Sequence, residues 1–149
     1  MVLVASPEYL KRRGTPKTVA DLAKHDCILW RSRQGEAKWT LEGPRGSETV
    51  VVRGSLAGDD FTFVRSVAAQ GGGIGLVPVP GTAPDFEAAR LVPVLTEYRG
   101  PSSPVHLVYP SARFLPQRVA VLRDYLLANF RIVDPCDKVR KKKAAIAAQ

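Results

Sequence analysis

The chain has 149 residues, 45% of them apolar, and a formal net charge of +8. That length supports one core or two small lobes. Two distant cysteines, Cys27 and Cys136, exclude a disulfide framework and a structural zinc site, and no apolar run is long enough to span a bilayer.

Part of the charge is local. Lys138, Arg140, Lys141, Lys142 and Lys143 crowd residues 134–149, which read as a solvated, disordered tail rather than a phosphate-binding arm. The rest of the chain is only mildly basic, which argues against a general nucleic-acid surface. The apolar start Val2-Leu3-Val4-Ala5 is too short for export and is broken by Ser6-Pro7. A cytoplasmic protein is expected.

Val2–Ala5 reads as a buried strand. Ser6 before Pro7 suits an N-cap with proline in the first turn, and Gly14 ends the short helix that follows. Thr18-Val19-Ala20-Asp21 has the spacing of a capping box and predicts a helix to about His25. Cys27–Trp30 is a short strand. Residues 39–41 and 49–52 flank Gly43-Pro44-Arg45-Gly46 and predict a hairpin.

Asp59-Asp60 then leads into a helix over 60–70, with Phe61, Val64, Val67 and Ala68 on one face. Gly71-Gly72-Gly73 ends it, because glycine accepts the positive φ of a helix terminus. Ile74–Val77 is the next strand and stops at Pro78. Residues 84–89 make one or two helical turns. Residues 91–95 are extended, with Pro93 favouring a sheet edge. A loop spans 100–104, Val105–Tyr109 reads as a strand, and an amphipathic helix over 116–130 places Val119, Val121, Leu122, Tyr125 and Leu126 on its apolar side. No internal repeat is visible.

The pieces in this order resemble the effector-binding domain of LysR-type transcriptional regulators. The segments that carry the resemblance are Leu3–Leu10, Gly14-Thr15-Pro16 with Asp21–His25, Val52–Asp60, Ala68–Pro78, Leu91–Leu95, and Val105–Ser111 followed by Leu115-Pro116. Together they cover residues 2–130. The resemblance implies an α/β fold of the type II periplasmic-binding-protein kind, in which a small effector settles between two lobes.

On that basis residues 2–100 are expected to form the complete second lobe. Residues 101–133 are expected to be the returning strand and terminal helix of the first lobe, and 134–149 a basic tail. No helix-turn-helix and no earlier part of the first lobe precede the match, so the chain is expected to be a truncated piece of such a regulator. DNA would then be reached only through a missing N-terminal domain, and effector binding by this piece would be weak. Strand 105–109 would lack its sheet neighbours. It is expected to pair with strand 2–5, or to exchange with a second chain in a homodimer.

The resemblance places the effector site at Ser6, Trp30, Arg31, Ser32, Asp59, Asp60, Phe61, Val77 and Pro78. Each also has a plainer role. Ser6 and one of the aspartates cap helices, Trp30 belongs to the core, Arg31 is solvated, and Val77-Pro78 ends a strand. His25 and His106 stand apart from any ligand cluster and read as structural or surface groups. The glycines 71–75 follow a helix rather than opening one, which is wrong for a phosphate-binding loop. No nucleophile–base pair, metal set or cofactor motif is visible, so neither an enzyme nor a cofactor is expected. The alternative to a sensing module is a dimerisation module that binds no ligand of its own.

Overall fold

The structure, a computed structural model, describes residues 1–102, 104–109 and 115–130. The expected tail at 134–149 lies outside the described residues, as do Pro110 and Ser111. The chain divides into two compact units, the first built on residues 1–102 and the second on 103–133.

The first unit is a mixed sheet with helices on it. Its strands are β1 (Val2–Ala5), β2 (Asp26–Trp30), β3 (Glu36–Gly43), β4 (Gly46–Gly58), β5 (Ile74–Val77) and β6 (Val92–Pro93), in the order β3-β4-β2-β5-β1-β6. Its helices are α1 (Pro7–Arg13), α2 (Phe61–Ala69) and α3 (Ala83–Glu87), with a 3-10 helix at Ala20–Lys24. The expected helix at 18–25 is therefore a tighter 3-10 turn. Its capping box is intact: Asp21 Oδ2 accepts from Thr18 N at 2.9 Å, and Asp21 N donates to Thr18 Oγ1 at 3.3 Å.

All four residues of β1 are buried because both faces of the sheet are covered. Alternate side chains serve different cores. Leu3 and Ala5 join Tyr9, Leu22, Leu29, Leu41 and Ile74 on one face. Val2 and Val4 join Ile28, Val64, Ala68 and Val77 on the other, under α2. Burying each of the Val, Leu and Ile side chains among them contributes about 1.5–3 kcal/mol.

The hairpin is present, with Gly43 opposite Gly46. Its second strand is longer than the sequence pattern suggested. The first half of β4 runs antiparallel to β3, and its second half runs parallel to β2. The register against β2 shifts between Asp26 and Ile28, opposite Arg53 and Leu56. Gly54 sits in this irregularity, where a Cβ would fall 1.6 Å from the Cys27 carbonyl oxygen. Only glycine lets the two backbones come so close.

β6 is an edge strand as Pro93 implied, but only two residues long. Both edges of β1 are taken within the first unit, by β5 and β6, which leaves no free edge for the pairing expected with residues 105–109.

The second unit contains the segment 104–109, which has no regular secondary structure, and helix α4 (Gln117–Asn129). The expected strand at 105–109 is not formed among the described residues. A strand exists only through a neighbour's hydrogen bonds, and among the described residues none pairs with this segment as a strand. It is exposed throughout, Val108 to 86%. Arg123 of α4 lies over the Tyr109 ring at 5.8 Å. The final helix is present, but none of its residues is buried, and Val121, Leu122 and Tyr125 are more than half exposed.

Candidate functional site

Strands β2, β4 and β5 run in one direction, with Trp30 opposite Gly58 and Ile28 opposite Gly75. Their carboxyl ends, Trp30, Gly58 and Val77, therefore emerge at one end of the sheet. In open α/β sheets this is where ligands are held.

The chain turns sharply there. Arg31 has a φ of 53°, and its N–H donates to the Gly58 carbonyl at 2.8 Å, which ties the end of β2 to the end of β4. Trp30 is 42% exposed, so it is a surface residue and not part of the core. Its indole Nε1 donates to the Asp59 carbonyl at 3.1 Å. The ring stacks on Phe61 at 4.7 Å with a 17° tilt, and the Arg31 guanidinium lies 4.7 Å from its centre.

Asp60 is the N-cap of α2, accepting from Thr62 N at 2.8 Å. The negative carboxylate also suits the positive end of the helix. Ser32 donates from Oγ to the Glu36 carbonyl at 2.6 Å, so its hydroxyl closes the loop into β3. Val77 is buried and Pro78 half-buried at the same end of the sheet.

The structure thus brings together Trp30, Arg31, Asp59, Asp60 and Phe61, with Ser32, Val77 and Pro78 at the same end. Ser6 is not with them. β1 runs antiparallel to β5, with Val2 opposite Val77, so the chain reaches Ser6 at the far end of the sheet. There Ser6 is buried and its Oγ accepts from Tyr9 N at 3.1 Å as the cap of α1. It lies against Gly71, whose φ of 80° turns the chain out of α2.

That far end is polar. The Tyr9 hydroxyl meets His25 Nδ1 at 3.1 Å and accepts from Asp26 N at 2.9 Å. Burial, then the nearby Arg13 charge, pushes the His25 pKa down. Beside this network is a shallow, open depression of about 370 Å³ bounded by Lys24, His25, Asp26, Arg53 and Ser55.

One cluster was not legible in the sequence. Asp85, in α3, is buried and meets Arg90 at 2.7 Å and Arg65, from α2, at 3.3 Å. Arg65 also donates to the Gly81 carbonyl. The segment after β5 is thereby fastened to the helix that carries Phe61. Arg65 and Asp85 are twenty residues apart, and no local spacing announces the pair. Among the described residues, no group of three or more His, Cys, Asp or Glu is placed to hold a metal.

Residues 1–131 match the family model of the LysR substrate binding domain. The chain belongs to that family. Among curated relatives, the HTH-type transcriptional activator TtdR of Escherichia coli is 30% identical over 128 residues, covering 85% of this chain and 41% of TtdR. The HTH-type transcriptional regulator PtxR of Pseudomonas aeruginosa is 33% identical over 131 residues, covering 84% of this chain and 41% of PtxR. The regulatory domain of AphB from Vibrio vulnificus superposes with a TM-score of 0.68 at 29% identity, covering 87% of this chain and 64% of the AphB domain. This LysR-family domain therefore spans about two fifths of the length of the curated relatives named here. Its fold is the type II periplasmic-binding-protein kind of α/β fold.

Proposed function

We propose that this domain senses a small effector for a transcription regulator, and that the effector rests on the end of the sheet marked by Trp30, Arg31, Ser32, Asp59, Asp60, Phe61, Val77 and Pro78. The observation that carries this is the convergence of Trp30 and Arg31, at the end of β2, with Asp59 and Phe61, at the start of α2, into one cluster at the surface. Ser6 has no part in it. Residues 2–100 act as the ligand-facing lobe, and 101–133 belong to the companion lobe of a two-lobed sensor. The effector acts by favouring one arrangement of the lobes, to the extent of its differential affinity. DNA is bound by another part of the regulator, in the cytoplasm, and this domain performs no chemistry on its ligand.

With one lobe supplying most of the contacts, affinity for the effector is low. Amide NMR of this chain against a metabolite panel tests the site. The expected result is millimolar binding, about −4 kcal/mol, with shifts confined to residues 30–32, 58–62 and 77–78. A ligand that shifts only the far end of the sheet overturns the assignment.

A second reading is favoured by the exposure of Val105, Leu107, Val108 and Tyr109. An unpaired apolar segment recruits another chain. In that case the domain is an interaction module that forms a homodimer through 105–109 and α4. Light scattering after size exclusion decides: a strict monomer at all concentrations ends this reading.

A further inference from the structure

Arg31 is held in an unusual way. A non-glycine residue in the left-handed region carries a cost, and such strain collects where a structure must aim a side chain. Here the strain is fixed by the Arg31 N–H bond to Gly58. The result is an exposed guanidinium carried back over the face of the Trp30 ring, 4.7 Å from its centre.

Arg13, Arg45, Arg53, Arg65, Arg90 and Arg123 each reach a carboxylate. Arg31 has no ion pair or hydrogen bond from its guanidinium among the described residues. Yet two aspartates begin the adjoining loop. The Asp60 carboxylate accepts from Thr62 N, and the Asp59 backbone carbonyl accepts from the Trp30 indole, so neither of these bonds reaches Arg31. The site therefore presents five N–H donors without an acceptor, on an aromatic support that is itself braced by Phe61.

We propose that Arg31 is the specificity-determining cation of this site and that its ligand is a small carboxylate, gripped by the guanidinium while the cation stays over Trp30. This rests on the effector-site reading above. Guanidinium matches carboxylate in a two-pronged geometry, and its weak hydration and stacking on an aromatic face leave it preorganised for that contact. Asp59 works against the anion by like-charge repulsion, which tunes affinity downward.

The test uses the full chain at low salt. Succinate and benzoate are titrated beside their neutral amides, succinamide and benzamide, with Trp fluorescence and amide NMR as readouts. Trp30→Phe isolates the Trp30 signal from that of the buried Trp39. The carboxylates are expected to bind and the amides not. Arg31→Gln lowers carboxylate affinity about tenfold or more, Arg31→Lys lowers it less, and Asp59→Asn raises it. An unchanged unfolding midpoint for Arg31→Gln shows that the variant is folded. Equal binding of acids and amides, or carboxylate binding that survives Arg31→Gln, overturns the inference and leaves the effector site standing. If neither class shifts residues 30–32 and 58–62, the inference and the effector-site reading fall together.

Discussion

The indole of Trp30 and the ring of Phe61 lie 4.7 Å apart and nearly parallel, joining the last residue of β2 to the first turn of α2. An offset aromatic pair contributes about 0.5–1.5 kcal/mol beyond the area it buries. Phe61→Ala is expected to cost about 1–2 kcal/mol, less than a core deletion because Trp30 stays partly wet. Urea unfolding measures the loss, and the Trp30 emission is expected to shift to the red.

Asp60→Ala removes the cap of α2. Thr62 N then has no side-chain acceptor. A loss of about 1 kcal/mol is expected by urea unfolding, and Asp60→Ser is expected to restore most of it. A full-strength Asp60→Ala protein would show that the cap contributes nothing to the stability of the helix.

Gly54→Ala tests the joint between β2 and β4. The new Cβ would fall 1.6 Å from the Cys27 carbonyl oxygen, so backbone must shift. The expected cost is about 3 kcal/mol or more, read as a large drop in melting temperature. Gly46→Ala, in the open hairpin turn, meets nothing within 4 Å. It is expected to cost less, with only the strain of its positive φ to bear.

The capping box makes stability depend on acid. Hydrogen bonds from Thr18 and Lys17 hold the Asp21 carboxyl below its usual pKa. Its stabilising effect is present above the ordinary carboxylate pKa and fades as pH falls through the depressed folded value. Urea midpoints taken from about pH 6 down to about pH 2 are expected to fall less steeply for Asp21→Asn than for the parent.

Cys27 is buried, and its thiol pKa is pushed up to about 12, first by burial and then by the Asp26 charge. At pH 8 only about one molecule in ten thousand carries the thiolate there. Native protein treated with iodoacetamide at that pH is expected to show no label at Cys27 by peptide mapping, and full label after denaturation. Rapid native labelling would mean that β2 opens readily.

What the sequence by itself determined is local. Ser6 and Asp60 announce their helices, Thr18 and Asp21 their capping box, and Gly43–Gly46 the hairpin. In each case the bonding partners lie within a few residues. The glycine turn after α2 and the buried strand β5 were legible for the same reason.

Only the tertiary structure decided the rest. Nothing within β4 says that one strand serves an antiparallel neighbour in its first half and a parallel one in its second. The close approach at Gly54 permits it. The direction of β1 carried Ser6 to the opposite end of the sheet from Trp30, which no local signal encodes. Asp85 has Arg90 five residues away in the chain, but it meets Arg65, twenty residues back in α2, only through the tertiary fold. Residues 105–109 have the alternation and β-branched content of a strand, yet stay unpaired among the described residues, because a strand is completed by hydrogen bonds from another segment and not by its own side chains.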